Sequence, residues 1–181
     1  MTRFDVQSRV DSTLMSNLRI MRRTLINQIS KRCDTSKETI TGVVHALLNR
    51  SIFIKYLEER KDSNGETVFP QDFYCNFMKS AKQYTDVLNS KEATYNLFRT
   101  LKEKFNGDTL QVSEIEIEII TQNDLDELRT FILGDSELES KQLTLWPLYS
   151  FDIIPIQLIS SIYELFFHLS EEDDEKGTYY T

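Results

Sequence analysis

Residues 35–60 read TSKETITGVVHALLNRSIFIKYLEER, and this stretch decides how the chain folds. Thr35-Ser36-Lys37-Glu38 has the S/T-x-x-E form, in which a hydroxyl caps an orphan helical N–H and the glutamate caps back. A helix therefore starts here, and nothing breaks it before Arg60. Ile40, Val43, Val44, Leu47, Leu48, Ile54 and Leu57, joined by Ala46 and Phe53, cover more of its circumference than one narrow stripe. A helix apolar over so much of its surface belongs in the middle of a bundle. Arg50 interrupts that surface. His45 lies within it and reads as a satisfied buried or boundary histidine, because no second metal ligand is near in sequence. Asp62-Ser63-Asn64-Gly65 then makes a turn, with Asn-Gly supplying a positive φ.

Working outward towards the N-terminus, Val10, Leu14, Leu18, Met21, Leu25 and Ile29 repeat at three and four residues, which predicts an amphipathic helix from about Gln7 to Lys31. Its opposite face carries Arg9, Ser12, Ser16, Arg19, Arg23 and Asn27, three arginines without an acid. Two readings stand for that face: a solvated surface, or a strip that meets DNA phosphates, for which arginine forks are suited. In the other direction, Phe73, Phe77, Ala81, Tyr84 and Leu88 predict a third helix after Pro70. Its aromatic residues read as core rather than as a base-stacking platform, since helical spacing alone explains them. Tyr95, Phe98, Leu101 and Phe105 predict a fourth, closed by Asn106-Gly107.

Glu114-Ile115-Glu116-Ile117-Glu118-Ile119 alternates with period two, which predicts a half-buried strand over 110–120. Its glutamates do not make a nuclease metal site, because alternate residues on a strand face stand about 7 Å apart and no Glu-x-Lys follows. Thr121-Gln122-Asn123-Asp124 caps a fifth helix through Leu125, Leu128 and Ile132, with Gly134 past its end. Leu143 to Leu148 alternates briefly, and Pro147 confines it to an edge piece that could pair with 110–120. Pro155 starts a last helix, whose stripe is Leu158, Ile159, Ile162, Phe166 and Leu169. The expected fold is mainly α: a bundle of five or six helices with at most a small two-stranded β element.

With 181 residues, 40% of them hydrophobic, the chain suffices for one domain, which would bury roughly 70% of its unfolded surface. We expect a helical domain over 1–170, followed by an acidic connector in 171–181, since Glu171 to Glu175 are five consecutive acids. Net charge is −8, yet residues 1–60 hold 11 Lys+Arg against 6 Asp+Glu. Overall acidity argues against indiscriminate nucleic-acid binding, while a local basic face stays compatible with phosphate contact. Cys33 and Cys75 have no CxxC spacing and are expected to be reduced and half-buried, as in a cytosolic protein. A signal peptide or an apolar run of membrane-spanning length is not visible, so we expect a soluble, cytoplasmic protein without a membrane partner.

Three patches, in order, resemble the N6-adenine DNA methyltransferases of type I and type IIG restriction-modification systems. The first is Leu47-Leu48-Asn49-Arg50-Ser51-Ile52-Phe53-Ile54-Lys55-Tyr56-Leu57-Glu58-Glu59-Arg60, and the second is Leu97-Phe98 followed by Phe105-Asn106-Gly107-Asp108. The third comprises Phe151, Ile154, Pro155, Ile159, Tyr163 and Glu164, then Lys176-Gly177-Thr178-Tyr179-Tyr180-Thr181. In that family such an ending leads into the methyltransferase domain, with a proline after the threonine that is not present here. The resemblance implies a helical N-terminal region of a parent protein that uses S-adenosylmethionine and acts on double-stranded DNA, beside a possible specificity or restriction subunit. It implies that Tyr180 and Thr181 approach the cofactor, with Lys176 and Gly177 leading to them; Arg9, Arg19 and Arg23 are the DNA-contact candidates on the chemistry of their helix face alone.

Catalytic machinery is not legible in these residues. The family's glycine-rich cofactor turn and its Asn/Asp-Pro-Pro-Tyr/Phe motif are both absent, and the 5 glycines stand singly at 42, 65, 107, 134 and 177, so no phosphate loop assembles. We expect no catalytic residue, no metal and no cofactor bound by this stretch alone. A reading from a different class is a stand-alone helical module that binds a protein partner through its acidic two-thirds.

Overall fold

In the computed structural model, residues 3–105, 110–134, 162 and 164 are described, with side chains from residue 13 onward. The helices are α1 (Arg3–Arg32), α2 (Lys37–Glu59), α3 (Tyr84–Val87), α4 (Lys91–Phe105), α5 (Glu114–Ile119) and α6 (Gln122–Leu133), with a 3-10 turn at Phe73–Asn76. The protein is a helical bundle, and no sheet occurs among the described residues.

Helix α2 is central. Thirteen of its 23 residues are buried, among them Arg50, Ser51 and Lys55 beside the apolar positions. It starts one residue later than the expected box, because Ser36 rather than Thr35 is the N-cap: Ser36 Oγ accepts from the Thr39 N–H at 3.2 Å. Leu14, Leu18, Met21, Leu25, Ile26 and Ile29 form the buried stripe by which α1 packs along α2. Helix α6 touches α1 and α3, and α3 touches α2. Each helix thus covers apolar surface that another leaves open, and one core results.

Three expectations change: the 110–120 strand, the long 73–88 helix, and the half-burial of Cys75, which is exposed. The 110–120 strand does not form: Glu114–Ile119 is helical, with Ser113 Oγ accepting from the Glu116 N–H at 3.3 Å. Capping outweighs the period-two pattern here, and acids in the first turn suit the positive end of a helix. Glu116 and Ile119 of the helix and Ile120 at its C-cap turn inward, whereas a strand would have placed Glu114, Glu116 and Glu118 together. The Leu143–Leu148 partner lies outside the described residues.

The long helix expected over 73–88 is instead a 3-10 turn, a loop and the short α3. The Asp86 carboxylate accepts from the Lys82 and Gln83 N–H groups at 2.9 and 3.3 Å, which starts a new helix where the periodicity predicted continuation. The aromatic residues nevertheless form core: Phe69 stacks on Phe73 with centroids 4.5 Å apart, and Tyr74 and Phe77 meet Phe73 edge-on. Cys75 is exposed and Cys33 half-buried, both free.

Other local signals hold. Gly65 has φ 80° in the turn that brings Lys61 and Thr67 into an isolated antiparallel bridge. Gly134 ends α6 with φ 78°. Ile162 is helical and buried and Glu164 is helical and exposed, while the rest of the expected 155–169 helix, the 170/171 boundary and the Asn106-Gly107 stop lie outside the described residues.

Candidate functional site

Sequence and structure place the candidate residues unequally. Arg19 and Arg23 are exposed on α1, on the side away from its buried stripe. Arg9 belongs to the same helix, but its side chain lies outside the described residues, as do Lys176, Gly177, Tyr180 and Thr181. Among the described residues no group of three or more His, Cys, Asp or Glu could hold a metal ion, and no helix is long and apolar enough to cross a membrane.

The most concentrated polar arrangement lies elsewhere, in the core. Arg50 is fully buried on α2, and its guanidinium pairs with the Glu116 carboxylate of α5. It also donates to the Gln111 carbonyl at 2.5 Å and lies 4.8 Å from the centre of the Phe98 ring. Tyr95 of α4 donates its hydroxyl to the same Glu116 oxygen at 3.2 Å. Burial pushes the Glu116 carboxyl up from its usual range, and the Arg50 charge opposes that push. Nearby, the Ser51 and Tyr84 hydroxyls are 2.8 Å apart, and the Glu58 carboxylate accepts from the Tyr84 N–H at 2.6 Å. The Lys55 ammonium reaches Glu58 at 2.5 Å and Glu59 at 2.8 Å. Each of these charges has a neighbour that fixes it. The arrangement acts as a strut joining α2, α4 and α5, not as a set of groups poised for proton transfer.

The cations of α1 divide by side. Arg22 is buried and donates its Nε–H to His45 Nε2 at 2.6 Å, so His45 accepts there as a neutral imidazole and is a structural residue. Arg32 pairs with the buried Asp124, which also accepts from the Thr121 N–H at 2.7 Å and so caps α6. Arg19, Arg23 and Lys31 remain on the outer surface.

One shallow cleft of about 340 Å³ runs between Thr39, Gly42 and Ala46 of α2 and Gln111, Ile115 and Glu116. Gly42 is exposed along it, and a Cβ built there meets no atom within 4 Å. Sequence reasoning had noted Arg50 as an interruption of an apolar helix but gave it no partner. The signal for one was Glu116 in a segment read with the wrong period. No family model, curated protein or solved structure matches the chain.

Proposed function

We propose that this chain is the non-catalytic helical N-terminal domain of an adenine-specific DNA methyltransferase or a fused restriction-modification protein. It positions double-stranded DNA, or a specificity unit, for methylation by a catalytic domain that uses S-adenosylmethionine. The observation that carries this reading is the meeting of two sequence patches that resemble the family. Arg50 of the Leu47–Arg60 patch lies over the ring of Phe98 from the Leu97-Phe98 patch, 4.8 Å from its centre, although they are far apart in sequence. Residues that resemble a family in two places, and that pack on each other, support a shared structural unit more than either patch does alone.

The exposed Arg19 and Arg23 support a positioning role, since phosphate contacts orient a protein on duplex DNA without reading its sequence. Such a protein works in the cytoplasm. Tyr180 and Thr181 keep their proposed place beside the cofactor of the parent protein. A second reading, a stand-alone helical module for a protein partner, is favoured by the open cleft beside Gly42.

The test is steady-state methyl transfer to duplex DNA by the protein of the whole reading frame. Replacing Arg19 and Arg23 with serine should raise KM for DNA and leave kcat near native. A loss confined to kcat contradicts positioning. A reading frame without a methyltransferase catalytic region favours the interaction module.

A further inference from the structure

The cleft beside Gly42 reaches a carboxylate oxygen that the buried strut does not use. Glu116 lines this cleft, although the residue is only 1% exposed. Both of its side-chain hydrogen bonds, from Arg50 and from Tyr95, fall on Oε1, while Oε2 receives none from a described residue. A desolvated carboxylate oxygen without a donor is under-compensated. The raised Glu116 carboxyl reflects the same deficit, since burial outweighs what Arg50 and Tyr95 return. Gly42 is the second observation. It is exposed within α2 and does not have a positive φ, and a Cβ built there meets no atom within 4 Å. Glycine weakens a helix interior relative to alanine, and nothing in the packing of this chain asks for it. Its missing side chain, with the small Ala46 one turn on, leaves the wall above Glu116 open to close approach.

We propose that this cleft binds a lysine side chain of a protein partner, whose ammonium donates to Glu116 Oε2 while its methylene stem lies along Val43, Ala46 and Ile115. The charges around the cleft suit a cation. Glu38 lies one turn before Gly42 on the same side of α2, and Glu114 and Glu118 are exposed on α5. Lys37, five residues before Gly42, is turned about 140° away from it around the helix. Three carboxylates outweigh the roughly half positive charge at the start of α5, and Arg50 is already balanced by Glu116. Lysine fits better than arginine. An ammonium is a compact charge that can serve a single oxygen, whereas the guanidinium fork calls for two acceptors in one plane, and Oε1 is taken by Arg50. The apolar walls match a methylene stem that is buried while its head reaches a polar group, and the cleft of about 340 Å³ has room for it. This goes beyond the positioning of DNA, and its test reads the cleft alone, so the two stand or fall separately.

The experiment is an amide-resolved NMR titration of the full 181-residue chain with an acetylated, amidated Gly-Ala-Lys-Ala-Gly peptide. One anchored side chain predicts saturable shifts with a Kd of about 1 mM, centred on the amides of Gly42, Ala46, Ile115 and Glu116. The same peptide with norleucine or arginine in place of lysine should bind at least about tenfold more weakly. Gly42→Leu fills the cleft from an exposed position and should weaken the lysine peptide by a similar factor, while Lys79→Ser, on an exposed loop, should change nothing. The amide spectrum of each variant reports whether its fold persists, and the comparison of peptides on the native chain decides the matter if Gly42→Leu does not fold. Absence of saturable shifts, equal binding of the lysine and norleucine peptides, or a folded Gly42→Leu variant with native affinity overturns the proposal.

Discussion

Replacing Arg50 with methionine removes a fully buried guanidinium but keeps most of the apolar stem. The variant leaves Glu116 buried with Tyr95 as its hydroxyl donor and without the opposing charge, and frees the Gln111 carbonyl. Breaking a buried pair from one side costs about 3–5 kcal/mol, a large part of the roughly 5–15 kcal/mol that holds a domain together. With a urea dependence of about 2 kcal/mol per molar, the unfolding midpoint should fall by roughly 2 M. The deficit should depend on pH. Burial raises the Glu116 carboxyl, and loss of Arg50 removes the interaction that opposes the rise. A raised carboxyl contributes stability that is complete below its unfolded pKa and is lost as pH rises through the folded one. The variant should therefore be weakest at mildly alkaline pH and recover on mild acidification. Adding Glu116→Leu should restore most of the loss, because it removes the buried unpaired carboxylate. Urea unfolding followed by circular dichroism at two pH values reads all of this. A single variant that loses less than about 1 kcal/mol, or a double variant no better than the single, refutes the strut.

Three further outcomes follow from local structure. Burial raises the phenols of Tyr74, Tyr84 and Tyr95, so these three should ionise only as the protein unfolds, and alkaline pH should destabilise it as each contribution is lost. A tyrosine absorbance titration in which all phenols ionise reversibly near their ordinary value would contradict this. Gly134→Ala forces a side chain into a left-handed backbone at φ 78°, and should cost about 1–2 kcal/mol in the same urea assay. Isothermal titration of the 181-residue chain with S-adenosylmethionine should give no heat, because the glycine turn that would hold the cofactor is not in the sequence. Micromolar binding would place a formed cofactor site within these residues.

The long apolar helices were legible because their spacing and their burial agree. In α1 the expected Leu14, Leu18, Met21, Leu25 and Ile29 are buried, in α2 so are Ile40, Val43, Val44, Leu47, Leu48, Ile54 and Leu57, and the caps at Thr121 and Gly134 hold. Two segments differ from their periodicity for a shared reason: the apolar spacing carries no information about where a side chain caps a helix start, and one such cap decides. Ser113 turned an apparent strand into a helix, and Asp86 divided an apparent helix in two. The core strut was half legible. Arg50 stood out, but its partner could be named only once Glu116 was known to be helical. The split of the α1 cations was not legible, since it depends on His45 and Asp124 lying within reach of Arg22 and Arg32.

The most direct measurement is the N6-methyladenine content of DNA from cells that carry the whole reading frame, determined by mass spectrometry. Adenine methylation should appear with the native protein and fall sharply when Arg19 and Arg23 are replaced with serine. DNA with no more methylated adenine than an empty-vector control would contradict the proposed function outright.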